Sequence, residues 1–233
     1  MGARAAPSRS NRRIPDATVA RLPLYHRGLV ELVRAKTSTV SSEVLAELAG
    51  VNAAKVRKDL SYLGTYGTRG VGYDVGYLLQ EIGAALGLTR SSPVVIIGIG
   101  NLGRALASYS GFSARGFAIA GLLDADPAKV GSIVAGLPIR PIRDLDELVR
   151  SESVTIGIVA TPGAAAQDVA DRLVHAGVRS ILNFSPAVLT VAHDVAIRPV
   201  DLAVELQILS YHQHHAVSLT APDNDRADEP EPS

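Results

Sequence analysis

The sequence predicts an α/β chain in two parts: a basic helical unit with a glycine-rich hairpin, then a doubly wound parallel sheet closed by one helix. Three observations predict it. Residues 1–75 hold 12 Lys/Arg against 6 Asp/Glu, and the remainder holds 11 against 17, so a formal net charge of zero hides a basic first third. Two short helical patterns in that third are joined through a very tight turn and run into "TYGTRGVGYDV". From residue 93 the pattern changes to alternating strands and helices, the signature of a parallel sheet with crossover helices.

In chain order, apolar residues recur at Leu22, Tyr25, Leu29, Leu32 and Val33, a helical stripe over 22–35. "STVSSEVLAELAG" offers Ser41 or Ser42 as N-cap and Gly50 as stop, and "NAAKVRKDLSYLG" offers Asn52 and Gly64. Gly67, Gly70 and Gly72 between β-formers predict a hairpin, "VGYLLQEIGAALGL" a fourth helix and "TRSSP" a linker. Three helices and a hairpin in this order make a winged helix-turn-helix. Strands follow at 94–98, 117–123, 154–160, 180–184 and 195–200, with a weak one near 137–142. Helices fall at 101–111, 144–150 and 163–176, and a last one runs from Asp201 to about Ala216.

The boundaries expected are a disordered basic arm over 1–15, a winged-helix domain over 16–88, and a Rossmann-type domain over 93–200. A C-terminal helix over 201–217 and a disordered acidic tail over 218–233 complete the chain. With no cysteine there is no disulfide, thiolate metal site or thiol nucleophile, and a reducing, cytoplasmic setting is expected. No apolar run approaches the roughly 18 residues of a membrane helix, and "MGARAAPSRSNRR" lacks the apolar segment of a secretory signal.

"PVVIIGIGNLGRALASY" places a β-branched strand before Gly98, Gly100 and Gly103 and a helix after them. Gly98 permits a tight turn, Gly100 lets the backbone approach a pyrophosphate, and Gly103 lets helix and strand pack closely. Ile99, Asn101 and Leu102 complete the turn and present N–H groups to phosphates. Asp124, ending "GLLDAD", stands 21 positions beyond Gly103. A carboxylate there accepts from a ribose 2′-hydroxyl and repels a 2′-phosphate, which favours NAD(H). Thr161 and Pro162 of "IVATPG", and Asn183 of "ILNFSP", end strands on the same rim. Gly98–Gly103 as a purely structural turn with Asp124 as a helix cap is the competing reading; the full spacing argues against it.

No catalytic residue is expected. His175 ends a helix, His193 sits in a turn, and no Tyr-x-x-x-Lys pair or paired carboxylates lie at strand ends. His212 and His215 have the helical spacing of metal ligands, but a solvated helix end is the better reading, so no metal is expected. In "NAAKVRKDLSYL" Val56, Leu60 and Leu63 face the core, while Lys55, Arg57, Lys58 and Tyr62 lie on other faces suited to a major groove. Arg69, at the hairpin tip, suits a phosphate or the minor groove.

The order of these elements resembles the Rex family of redox-sensing transcriptional repressors. "VRKDLSYLGTYGTRGVGYDV", "GIGNLGRAL", "LLDADPAKVG", "ATPGAAAQ", "ILNFSP" and "VDLAVELQILSY" carry the likeness, over roughly residues 15–217. The resemblance implies a homodimer, with no membrane partner, that binds double-stranded operator DNA when NADH/NAD⁺ is low and releases it when NADH binds. It implies that Asp201 changes partners between redox states, pairing with Arg27 in the DNA-competent state and with Tyr109 when NADH is bound. It further implies that the last helix is swapped into the partner; a Phe that lines the nicotinamide site in some members is Leu202 here. A small NAD-dependent oxidoreductase and a sensor of another nucleotide such as CoA are the alternative readings.

Overall fold

The structure is a computed structural model and describes residues 14–65, 67–68 and 70–220. Most of the basic arm, all but the first residues of the acidic tail, and Arg69 lie outside the described residues. The chain divides after Ser91 into two compact units.

The first unit holds helices α1 (Asp16–Arg34), α2 (Ser42–Ala49), α3 (Ala53–Tyr62) and α4 (Val75–Ala85), with strands β1 (Thr39–Val40) and β2 (Tyr73–Asp74). Its core is Leu22, Tyr25, Leu29, Leu45, Leu60 and Ile82, all inaccessible to solvent. Helix α1 begins six residues before the expected start at Leu22 and carries Pro23 inside it. Thr18 and Arg21, within that extra stretch, both bond a side chain of α3, and this tertiary tie holds the turn that the periodicity alone leaves out.

The caps explain the tight turn. Ser41 Oγ accepts from Val44 N–H at 3.2 Å to start α2, and Gly50 ends it at φ +66°. Asn52 Oδ1 accepts from Lys55 N–H at 2.9 Å and starts α3 two residues later. The expected short hairpin is tight: among the described residues it is closed by the antiparallel bridge of Thr68 with Gly72. Its outgoing strand β2 pairs antiparallel with β1, a strand the sequence reading did not anticipate. Asp74 then caps α4 by accepting from Tyr77 N–H at 2.7 Å.

The second unit is a seven-stranded sheet in the order β5-β6-β4-β3-β7-β8-β9. The strands are β3 (Val94–Ile97), β4 (Ile119–Asp124), β5 (Ile133–Val134), β6 (Leu137–Pro141), β7 (Ile156–Val159), β8 (Ser180–Asn183) and β9 (Ala196–Pro199). All pairings are parallel except β5 with β6, a short hairpin the sequence reading missed. Helices α5 (Asn101–Ala107), α6 (Ser110–Ser113), α7 (Leu145–Ser151), α8 (Gly163–His175) and α9 (Leu202–Thr220) complete it. The single helix expected over 101–111 is broken at Ser108–Tyr109 into α5 and α6.

Alternate residues of β3 feed two cores. Val95 and Ile97 pack with Leu148, Leu173 and other residues from α7 and α8, while Val94 and Ile96 pack with Ile99, Leu122 and Ile158. On the second face Ile156 and Leu182 are only half-buried and border an apolar groove of about 460 Å³ with Tyr109, Phe112 and Phe117. Helix α9 does not cover it: Leu202, Leu206 and Leu209 are each more than 60% exposed. Because β4 lies on one side of β3 and β7 on the other, the chain reverses direction across the sheet there. Such a switch point opens a crevice at the carboxyl ends of the strands.

Candidate functional site

That crevice is occupied by the glycine-rich turn. Gly98 leaves β3 at φ +93°, and a Cβ built on it would stand 2.7 Å from the Ala160 carbonyl oxygen at the end of β7. A Cβ on Gly103 would strike the Gly98 carbonyl oxygen, so α5 rests directly on the turn. Gly100, the N-cap of α5, faces open space. Gly98 and Gly103 thus each have a steric reason, whereas Gly100 leaves bare backbone toward a cleft of about 450 Å³. The cleft is lined by Gly98, Gly100, Asn101, Leu102, Thr161 and Pro162 among others, with Asp124 and Lys129 at one end.

Asp124 is 6% exposed. Its Oδ2 accepts from Ile99 N–H at 2.7 Å and from Lys129 Nζ at 3.0 Å, and its Oδ1 from Asp126 N–H at 2.9 Å. Burial by itself pushes this carboxyl up, but the Asp126 N–H, the Lys129 ammonium and the Ile99 N–H together hold it below the usual carboxylate range. A carboxylate has about four acceptor positions; three are taken, which leaves one on Oδ1 for a ligand hydroxyl. Asp124 thus also shapes the turn, and its charge is offset by Lys129. Lys129 was missed, although its place in "DADPAK", five residues on, was the available signal.

Thr161 Oγ1 is buried in the cleft wall without a hydrogen-bond partner among the described residues. A buried hydroxyl left unpaired costs free energy, so it is a standing donor or acceptor for a bound group. Together with the open backbone at Gly100, it fits a dinucleotide. Asn183, on the same rim, is tied to its own loop. Its Oδ1 accepts from Ser185 N–H and Oγ, and its Nδ2 donates to the Ala187 carbonyl at 2.9 Å. The amide oxygen and one Nδ2 N–H fold the loop after β8; its neighbour Phe184 lines the cleft.

Of the residues assigned to a redox switch, Arg27 is exposed on α1, in the first unit. Tyr109 is half exposed, caps α6 in the second unit and meets Phe112 edge-on at 5.1 Å. Asp201 accepts from Ala203 N–H at 2.9 Å and Val204 N–H at 3.4 Å, so it caps α9. Leu202 is exposed. His215 stacks on Tyr211 at 4.0 Å, and no cluster of metal-ligating side chains occurs among the described residues.

On α3, Lys55, Arg57 and Lys58 are exposed and Tyr62 is half-buried. Arg57 is not free: its Nη1 donates to Ser42 Oγ and Glu43 Oε1. A second feature was not legible in advance. Asp59, on the buried side of α3, is 1% exposed and accepts from Thr18 Oγ1, from Arg21 Nε and Nη2, and from Tyr25 OH, all between 2.6 and 2.8 Å. This hub fixes the basic helix to α1.

Comparison with known proteins adds the following. Residues 89–187 match the family model described as a CoA binding domain, and 13–61 match one described as a DNA-binding protein N-terminus. The redox-sensing transcriptional repressor Rex of Streptomyces avermitilis is 59% identical over 207 residues, 89% of this chain and 82% of its own. That of Carboxydothermus hydrogenoformans is 50% identical over 200 residues, 86% of this chain and 96% of its own. Among solved structures, RSP, a Rex-family repressor, aligns in complex with β-NAD⁺ and operator DNA at a TM-score of 0.83. It is 34% identical, and the alignment covers 93% of this chain and all of that one. RSP in complex with β-NADH aligns at 0.79, covering 90% and 98%.

Proposed function

The chain belongs to the Rex family of redox-sensing transcriptional repressors, and from this premise we propose that it binds operator DNA as a homodimer when NADH/NAD⁺ is low and leaves it when NADH binds. The observation that carries the reading is the pairing, in one chain, of a basic winged helix with a glycine turn whose cleft holds no proton-transfer pair. The ionisable groups lining that cleft, Asp124 and Lys129, are bonded to each other and to the turn. The relatives are named as repressors and not as enzymes.

In this reading Gly98, Ile99, Gly100, Asn101, Leu102 and Gly103 cradle the pyrophosphate, Asp124 takes the adenosine ribose, and Thr161 and Pro162 border the nicotinamide end. Lys55, Lys58, Tyr62, Arg57 and Arg69 face DNA, and Asp201 exchanges Arg27 for Tyr109. Oxidised nicotinamide carries a positive charge that the reduced ring lacks. An apolar, closed site disfavours the cation by desolvation, and only such differential affinity can shift a conformational balance. The exposed apolar side chains of α9 and the uncovered groove beside Tyr109 support a second copy as the partner of both.

A CoA sensor is the other reading the matched family model suggests. CoA carries a ribose 3′-phosphate, and the Asp124 carboxylate at that end of the cleft disfavours it. The deciding experiment titrates duplex binding against NADH at several NAD⁺ levels and fixed salt, because phosphate contacts make affinity steeply salt-dependent. Release by NADH, opposed by NAD⁺ and untouched by CoA, is the expected result. Binding indifferent to NADH sinks the proposal. None of the described helices is long and apolar enough to cross a membrane, and a cytoplasmic site of action is part of the same proposal.

A further inference from the structure

The basic face of α3 is not uniform. Helical spacing sets Ala54, Lys58 and Ser61 opposite the buried stripe of Val56 and Leu60, and turns Arg57 to one flank, toward α2. There its Nη1 donates to Ser42 Oγ at 2.7 Å and to Glu43 Oε1 at 3.0 Å. Ser42 Oγ in turn donates to Glu43 Oε1 at 3.1 Å, so three side chains close a ring. The ring therefore joins both helices of the tight turn.

Stability does not require this arrangement. The side chains of Arg57 and Glu43 are 55% and 67% exposed, and an exposed ion pair contributes little to folding. It even opposes the obvious purpose of the surface, since a carboxylate set among cations repels phosphate. What the ring supplies is orientation. A guanidinium has five N–H donors in a rigid plane. The ring uses Nη1 and leaves the Nε–Nη2 edge without a partner among the described residues. That edge carries the two parallel N–H bonds that match O6 and N7 of guanine.

We propose that Glu43, with Ser42, is a positioning residue for sequence-specific DNA recognition: it holds Arg57 so that its free edge reads a guanine, and its charge lowers affinity for other duplexes. The proposal rests on the DNA-binding reading above. Phosphate contacts position a protein on any duplex, whereas base contacts select one; Glu43 moves Arg57 from the first class to the second.

The test uses the full chain, a duplex selected from a randomised pool by repeated rounds of binding, and a scrambled duplex of equal length. Affinities for both are measured by fluorescence anisotropy at fixed salt. Glu43→Gln is expected to tighten binding to the scrambled duplex about two- to threefold and to cut the preference for the selected duplex about tenfold. Arg57→Ala cuts the same preference, and the double variant cuts it no further than Arg57→Ala alone, the sign of two residues acting as one. A preference unchanged in Glu43→Gln, or losses that multiply in the double variant, overturns the proposal. A natural chain from which no duplex can be selected overturns the DNA-binding reading together with it, and so is told apart from the first failure.

Discussion

Asp59 and Asp124 are both buried aspartates that stay ionised, one in each unit, and they owe that state to different donors. Asp59 is sealed by side chains, all from α1 and 34 to 41 positions distant in sequence. Asp124 is held mainly by backbone, the N–H groups of Ile99 and Asp126, with Lys129 at the cleft edge. For each, burial pushes the carboxyl up and the donors more than reverse it. The source of the donors decides the role. Side chains from a distant helix weld two elements, whereas N–H groups of a ligand turn keep that turn in shape for something else.

The comparison breaks first at Asp59. Asp59→Ala leaves Arg21 unpaired, at 25% exposure, and strips the acceptor from two hydroxyls. Breaking a buried pair in this way costs about 3 kcal/mol or more, so the first unit is expected to unfold at markedly lower denaturant concentration while the second is unmoved. A loss below about 1 kcal/mol, read by circular dichroism, means the hub is no weld. Next comes Asp124→Ala, which removes a charged acceptor worth about 2 kcal/mol. It should weaken NADH binding roughly thirtyfold, measured by nucleotide titration, and leave DNA affinity nearly unchanged. Equal loss of both would make Asp124 as structural as Asp59 and erase the contrast.

How much of this was visible in the sequence follows the same division. Local rules covered the turn, since Gly98 and Gly103 each answer to a steric demand of their neighbours and Gly100 keeps the backbone bare toward the cleft. The caps Ser41 and Asn52, and the buried stripe of Val56 and Leu60, are likewise set within a few residues. What escaped depends on distant chain segments meeting. Asp59 reads as one more polar residue in "VRKDLSYL" until Thr18, Arg21 and Tyr25 arrive from α1. Strand β1 is two residues long and exists because Tyr73 and Asp74 pair with it. Asn183 was placed at the right rim, but no local pattern tells that its amide folds back on Ser185 and Ala187.

The pH response separates the two sites more finely. Asp59 and Asp124 have depressed folded-state values, so each contributes stability that is full above about pH 4, the unfolded value. That contribution is lost as pH falls through the folded value. Tyr25 behaves oppositely: burial, then the Asp59 hydrogen bond, push its phenol from 10 up to about 12. Its contribution is full below pH 10 and disappears between pH 10 and 12. Tyr73, raised by burial, adds to the same limb. The first unit should therefore lose stability on both acid and alkaline sides, and Tyr25→Phe should shrink the alkaline loss and, by removing one donor to Asp59, part of the acid loss, at a cost of about 1 kcal/mol near neutrality. Denaturant midpoints measured from pH 3 to pH 12 check it; an alkaline limb unchanged in Tyr25→Phe refutes the assignment.

The smallest effect concerns Lys129. A carboxylate at the ribose is expected to repel a 2′-phosphate, yet Lys129 lies 3.0 Å from Asp124 and 4.0 Å from Asp126 and offsets part of that repulsion. Lys129→Met keeps the stem and removes the charge. With the side chain 34% exposed, solvent screens the pair, and the change is worth under about 1 kcal/mol. NADPH should bind roughly threefold more weakly than before, and NADH nearly as before, because the spare position on Asp124 Oδ1 faces a neutral hydroxyl. Side-by-side titration of the two nucleotides decides it. A loss of NADH affinity matching that of NADPH means that the ammonium touches the ligand directly; Asp124 would then hold the turn while Lys129 meets the ribose, and the carboxylate would stand closer to Asp59 in kind than its backbone donors suggest.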